Sequence, residues 1–396
     1  MTDLRVRVYN VRFGDAVLVV IPDQENGHEV RRHILFDFGN ALGTEGGQDF
    51  VFQPVIDDLL AVLGGQPLDL YVMTHEHLDH VQGLFYAAER LNRTIPVRQA
   101  WLTGSADPAY YATHIDAKKG KIAAVAAYNI AGPRLRATAE RAAFVDVLLA
   151  NNDTSTTSKC IDYLRQMAAT PQDVHYVDRT TDLSGLQPTT SGRITLWAPE
   201  EDTADYYGTF RPLVTTLGIG DDQDFDDVLG EGEELAHVAE LPEPPAGVDT
   251  GAFYNLIDIR NSSQASTLLQ IDKASNNTSV VLCLEWRGWR LLFPGDAEKR
   301  SWRTMDKLGL IRPVHFLKVS HHGSHTGMPP AAILDKLLPM PPADGRPRRS
   351  AVSTYPDTYD GVPDEPTLVE LRRRTELKST TDLAAGELFI DFTFAP

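Results

Sequence analysis

From Leu4 the chain alternates apolar and polar positions (Leu4, Val6, Val8). It then runs unbroken apolar over residues 16–21 and again through Ile34, Leu35 and Phe36. Period-two alternation marks a half-buried strand, and short continuous apolar runs mark fully buried ones. The first forty residues therefore read as a β-meander, with Gly14-Asp15 and residues 22–27 as turns. Val51, Val55, Ile56, Leu59, Leu60 and Leu63 recur at helical spacing, and Gly64-Gly65 ends that helix. Residues 68–73 form a short apolar strand that leads at once into Thr74-His75-Glu76-His77-Leu78-Asp79-His80, and 81–91 is helical again. Strand, helix, strand, polar loop and helix describe an α/β unit whose chemistry sits at a strand's C-terminal end.

From about 101 to 183 the pattern turns helical, Ala-rich over 123–150, with Gly132-Pro133 expected to break or kink the run. Residues 192–197 are a strand. A second β unit follows from Thr278: strands over 279–286 and 289–293 around Arg287-Gly288, then Pro294-Gly295-Asp296 and a helix over 297–308. A strand over 314–320 runs into His321-His322-Gly323-Ser324. A helix at 330–338, a strand at 350–354, a helix at 366–374 and a closing hairpin complete the pattern. Two β-rich halves predict an α/β (α+β) sandwich flanked by helices. The divisions are 1–100 as its first half, 101–183 as a helical insertion, 184–201 as a core strand, 202–275 as an acidic insertion and 276–396 as its second half.

Composition narrows the function classes. With 42% hydrophobic and 23% charged residues the chain is globular. Its 37 Lys and Arg against 55 Asp and Glu give a net charge of −18. Between Arg211 and Arg260 there is no Lys or Arg and there are twelve acids, so the acidity is largely local and an anionic substrate is not forbidden elsewhere. Such a block reads as a solvated loop. The sharper expectation is that residues 212–259 form a flap over a basic cleft or contact a basic partner. Arg346-Pro347-Arg348-Arg349 and Arg372 to Arg374 read as exposed faces, and so few cationic clusters argue against broad duplex binding. No apolar run approaches the roughly 20 residues of a membrane span, and the N-terminus shows no export signal. A cytoplasmic protein with no membrane association is expected, of undetermined oligomeric state. Cys160 and Cys283 are isolated, which excludes a disulfide framework and a Cys-based zinc cluster and leaves both to the core.

The sharpest chemical signal is His75-x-His77-x-Asp79-His80: four ligand-type residues in six positions, costly to bury without partners. After a strand, His75 and His77 point the same way, while Asp79 and His80 turn toward a neighbouring point about 3.5–4 Å off, the spacing of two-metal hydrolytic sites. Asp296, behind a strand and a glycine, is placed to bridge two cations. His321 and His322 supply one ligand and one group able to donate to substrate or leaving oxygen. The sequence leaves open which is which, with His322 preferred as ligand. Lys318 and Ser324 are weaker candidates beside the leaving oxygen. Asp15 and Asp37 read either as groups orienting the ligand histidines or as turn formers.

His75-Glu76-His77-Leu78-Asp79-His80, with Pro294-Gly295-Asp296 and His321-His322, resembles the metallo-β-lactamase fold superfamily. Within it the chain looks most like the hydrolase domain of ComEC-type DNA-uptake proteins. That likeness rests on residues 9–16, 34–39, 276–282 and 318–324 and covers roughly 1–100, 184–201 and 276–390. The resemblance implies an αββα sandwich with one or two metals at the sheet edge. It further implies a phosphodiesterase or nuclease acting on short or single-stranded nucleic acid, or on a nucleotide ester, through a metal-activated hydroxide. Where many members carry a further histidine upstream of the bridging aspartate, this chain has Asn276. That leaves the His75/His77 cation a nitrogen short, to be completed by water or the Asn276 carbonyl. Two divalent ions are expected, zinc or, with an oxygen-richer donor set, Mn²⁺. Two alternatives stand beside this reading. One is a hydrolase of a carboxylic substrate (lactone, thioester or β-lactam); the other is a non-catalytic scaffold that binds a partner.

Overall fold

The computed structural model describes residues 2–41, 47–136, 143–207, 268–342, 344–356, 358 and 361–396. Strands β1 (Leu4–Tyr9), β2 (Val17–Glu25) and β3 (His28–Phe36) form the antiparallel meander, in a register that sets Val8 against Val17 and Val17 against Phe36. Helix α1 (Gly47–Leu63) crosses to β4 (Leu70–Met73), which runs parallel to β3, and α2 (Leu78–Glu89) leads to β5 (Ala100–Thr103), parallel to β4. Helices α3 (Tyr110–Thr113), α4 (Ile115–Arg136), α5 (Ala143–Asn151) and α6 (Thr154–Leu164) precede β6 (Val174–Val177), parallel to β5.

The second sheet begins with β7 (Gly192–Ala198). Residues 268–276 are helical (α7), and β8 (Val281–Trp286) and β9 (Trp289–Phe293) pair antiparallel. After α8 (Lys299–Lys307) the strands β10 (Phe316–Lys318), β11 (Arg349–Val352) and β12 (Glu376–Ser379) are parallel to one another, and β10 is parallel to β9. They are joined by α9 (Ala331–Leu337) and α10 (Glu365–Arg374). The last strand, β13 (Phe389–Phe394), returns to the first sheet beside β1. The sheet orders are β13-β1-β2-β3-β4-β5-β6 and β12-β11-β10-β9-β8-β7.

Alternation decides the layering. Leu18, Val20, Leu35, Tyr71 and Met73 pack against Val55, Leu59, Val81, Leu84 and Leu164 of α1, α2 and α6. Val17, Val19, Ile34, Phe36 and Val72 face the other way, onto Leu282, Leu291, Phe293 and Phe316 of the second sheet, where Phe36 stacks on Phe293 at 4.3 Å between centroids. The outer face of that sheet (Val281, Leu292, Leu317, Val319) buries Trp302, Met305, Leu334 and Leu371 of α8, α9 and α10. The order is helix, sheet, sheet, helix. The unbroken apolar run over 16–21 follows directly, because β2 is covered on both faces.

Three features differ from the sequence pattern. Strands β5 and β6 lie at the ends of the segment expected to be helical, and both join the first sheet. Helix α4 continues through Gly132 and Pro133 to Arg136. The closing hairpin is absent. β12 and β13 belong to different sheets, because each finds an open edge, of β11 and of β1 respectively. The acidic stretch 212–259 lies outside the described residues. No helix among the described residues is long and apolar enough to cross a membrane.

Candidate metal centre

Parallel strands bring their C-terminal ends to one edge of each sheet, and the chemistry-bearing residues follow those ends. Asp37 follows β3, His75 to His80 follow β4, Asp296 follows β9, His321 and His322 follow β10, and Ser353 follows β11. Asp79, His80, Asp296 and His322 form a buried quartet with ligand atoms all within 4.8 Å of one another. His80 Nε2 lies 3.2 Å from Asp296 Oδ2 and 3.8 Å from Asp79 Oδ1. His322 Nε2 lies 3.2 Å from Asp79 Oδ2 and 3.5 Å from Asp296 Oδ2. Residues separated by over two hundred positions thus meet at one point. The rings of His75 and His77 stand beside the quartet, 4.6 Å apart, with His75 4.2 Å from His80.

The inward atoms of this cluster lack partners. His75 Nε2, His77 Nε2, His80 Nε2, Asp79 Oδ1 and Asn276 Oδ1 are all buried with no hydrogen bond. A buried polar atom left unmade costs about 1–3 kcal/mol, so these five call for further partners. Lone pairs of imidazole, carboxylate and amide oxygen suit a divalent cation, and these buried groups can hold a metal ion.

The outward nitrogens are fixed. His80 Nδ1 meets Asp37 Oδ2 at 2.8 Å. His322 Nδ1 lies 2.9 Å from the Ser353 carbonyl, which only accepts, so Nδ1 donates there and the ring is fixed with Nε2 turned to Asp79 Oδ2. His75 Nδ1 contacts Thr74 Oγ1 at 3.1 Å, and that hydroxyl donates to Asp37 Oδ2 at 2.7 Å. Burial works against charge on His80, yet Asp296, Asp79 and Asp37 lift its pKa well above the ordinary imidazole value. Burial likewise opposes ionisation of Asp296, but His80 and His322 hold its carboxyl well below the usual range. Burial, together with His80 and His77, pushes His75 well down.

Backbone strain concentrates here. Asp37, His321 and His322 adopt φ of 50°, 47° and 51°, each a left-handed conformation costing roughly 1–2 kcal/mol, as functional sites often do. Gly39 permits the close crossing of the 37–40 and 77–80 loops: a Cβ there would lie 2.3 Å from the Asp79 carbonyl carbon.

The other expected residues take different posts. His321 stands off the quartet; its amide donates to Asp296 Oδ1 at 3.2 Å and its Nδ1 contacts Ser324 Oγ at 2.9 Å. Ser324 thus braces a ring. Lys318 does not face the centre, because its buried ammonium is held 2.8 Å from Asp15 Oδ2 and donates to the Val319 carbonyl. A place for it at a leaving oxygen is withdrawn on that ground. Asp15 also accepts from Ser353 Oγ.

Sequence reasoning missed Thr74 and Ser353, and it missed two buried acids, Asp272 and Glu298. Asp272 precedes Asn276 by one helical turn on α7, and Glu298 follows Asp296 by two residues. With His321 they form a second compact group of candidate ligands. The i, i+4 spacing of Asp272 and Asn276 was the available signal. A cleft beside His77 is lined by Glu76, Lys121, Asn151, Asn152 and Tyr207, and Lys121 is paired with Glu76. No protein-family model matches the chain, and none of the curated proteins matches it.

Proposed function

We propose that the chain is a metal-dependent hydrolase of the metallo-β-lactamase fold. Its proposed activity is that of a phosphodiesterase or nuclease acting on short or single-stranded nucleic acid or a nucleotide ester. The carrying observation is the set of partnerless buried atoms on His75, His77, Asp79 and His80 at the edge where Asp296 and His322 also arrive. In this reading His75 and His77 would hold one divalent ion, and Asp79, His80, Asp296 and His322 would hold a second. Zinc fits the imidazole-rich half, and Mn²⁺ fits an oxygen-richer one. Such ions, when bound, supply Lewis acidity to a phosphoryl oxygen and bring the acidity of water toward neutrality.

The protein's own groups do the rest. Asp37, Thr74 and Ser353 hold the ligand imidazoles in the tautomer that offers Nε2 inward. His321, with Nδ1 engaged by Ser324, is the imidazole proposed to donate to the leaving oxygen. At the mouth, Lys121 is already neutralised by Glu76. The cleft therefore offers little of the cationic surface that long duplexes need, which favours a small or single-stranded substrate.

The test compares turnover of bis-p-nitrophenyl phosphate with that of chromogenic esters after supplementation with Zn²⁺ or Mn²⁺. Phosphodiester cleavage that falls by about 10²-fold or more in Asp79→Ala is expected. Ester cleavage without phosphodiester cleavage overturns the substrate class. Purified protein that holds no metal and gains no activity from added ions is a scaffold.

A further inference from the structure

Asn276 stands where the superfamily pattern leads one to look for a third imidazole on the His75/His77 side. The side chain that reaches His77 from the same helix is Asp272. Its Oδ1 lies 3.7 Å from His77 Nε2, a buried nitrogen without a hydrogen bond. Two donors on a common four-coordinate ion, each about 2.1 Å from it, sit roughly 3.4 Å apart. The observed separation leaves room for an ion and exceeds a direct hydrogen bond.

We infer that Asp272 is the anionic ligand of the cation on the His75/His77 side. That half of the centre then presents two imidazoles, one carboxylate and the amide oxygen of Asn276. This deepens the metal-hydrolase reading and rests on it.

Three further observations converge. Asp272 is 5% exposed, and among the described residues the hydrogen-bond donors that reach its oxygens are neutral amides, Asn152 Nδ2 and Asn276 Nδ2, each at 3.2 Å. The other buried acids of the centre have charged or protonatable counterparts: Lys318 for Asp15, His80 for Asp37 and Asp296, His322 for Asp79. Among the described residues Asp272 has amide hydrogen-bond donors and the His77 Nε2 at 3.7 Å, beyond hydrogen-bond reach. A buried carboxylate so placed is unfavourable unless a cation arrives, and His77 shows where. Asn276 is also oriented for the purpose. Its Nδ2 is spent between Asp272 Oδ2 and Glu298 Oε1, the latter at 2.9 Å, which leaves its buried Oδ1 without a partner. His321 lies near the same acids, but its Nδ1 is engaged by Ser324. Exchange of an imidazole for a carboxylate and an amide hardens the donor set and shifts its preference from Zn²⁺ toward Mn²⁺.

The experiment measures bound metal directly. Wild type, Asp272→Asn and the control Asp162→Asn, an exposed acid outside the centre, are stripped with chelator, dialysed against Mn²⁺ or Zn²⁺, and analysed for ions per chain and affinity. Wild type and Asp162→Asn are expected to hold two ions. Asp272→Asn is expected to keep one and to lose the second by roughly 10–100-fold in affinity, more for Mn²⁺ than for Zn²⁺. Two ions held equally well by Asp272→Asn overturn the role of Asp272 and leave the metal-hydrolase reading intact; no metal bound by wild type removes both. Should Asp272→Asn fail to fold, wild-type crystals soaked in Mn²⁺ decide by anomalous scattering. A peak touching both His77 Nε2 and an Asp272 oxygen supports the inference, and peaks that leave Asp272 uncoordinated overturn it.

Discussion

Asp37 serves three donors with two oxygens: the Thr74 amide on Oδ1, and the Thr74 hydroxyl and His80 Nδ1 on Oδ2. Burial raises its carboxyl above the ordinary value, with His80 pulling against that shift. An amide in its place has one acceptor atom for the same three donors. Asp37→Asn is therefore expected to weaken metal binding by roughly 10–100-fold through the misdirected His80 ring, read by competition with a chromophoric chelator; an affinity within twofold of wild type would count against it. The short spacing of His75, His77, Asp79 and His80 made those residues legible in the sequence, since a single loop carries all four. Asp296 and the His321-His322 doublet were legible as polar residues closing apolar strands. Asp272 was not, because its partner His77 is almost two hundred positions away and a lone acid on a helix has a solvated face as its ordinary reading. Lys318 was misread for the reverse reason: nothing local announces that Asp15, three hundred positions earlier, neutralises it.

Elements are tied to one another by a few buried polar contacts, and the end of β2 shows how. Asp23, 2% exposed, accepts from the Thr190 amide at 3.0 Å, the Thr190 hydroxyl at 2.7 Å and the Ser191 amide at 2.9 Å. It thereby fastens the first sheet to the segment that opens β7 of the second. Burial acts to raise its carboxyl, but the Thr190 donors outweigh it and hold the group below its ordinary value. A folded value below the unfolded one stabilises above the unfolded pKa of about 3.9 and fades as pH falls through the folded value. Asp23→Asn should lose about 1.5–3 kcal/mol at neutral pH. The gap to wild type should narrow in acid, as measured by urea unfolding at pH 7 and pH 3. A constant gap would assign the loss to packing instead. The elements most legible in the sequence were those with unbroken apolar runs or clear periodicity, β1 to β4, α1 and β8 to β10. β5 and β6 lie at the margins of a helix-rich stretch, and neither runs into a chemically marked loop such as those behind the comparably short β4 and β10. β12 and β13 were recognised as strands, but alternation reports which faces are buried and not which sheet edge is open.

At the scale of the whole molecule the dominant quantity is a charge of −18 on 396 residues. The quartet is buried beneath that field and paired internally, so its carboxylates do little to a substrate at a distance, whereas the net charge acts over a Debye length of about 10 Å at 0.1 M salt. Residues 212–259 carry twelve of those negative charges, and the remaining chain is still net negative at −6, so an anionic phosphodiester approaches a molecule of its own sign. Proteins that grip long nucleic acids lose affinity as salt rises because cationic contacts are screened; here the screened interaction is repulsive and the sign reverses. Raising ionic strength from about 20 to 200 mM should increase kcat/KM for an anionic phosphodiester by a factor of about two to ten, with kcat unchanged. A neutral phosphotriester of similar size should show no such rise. Steady-state kinetics on the two substrates across a NaCl series, at fixed metal concentration, reads the difference. A fall in kcat/KM with salt for the phosphodiester would reveal an attractive cationic path to the centre and reopen the case for longer nucleic acids as substrates.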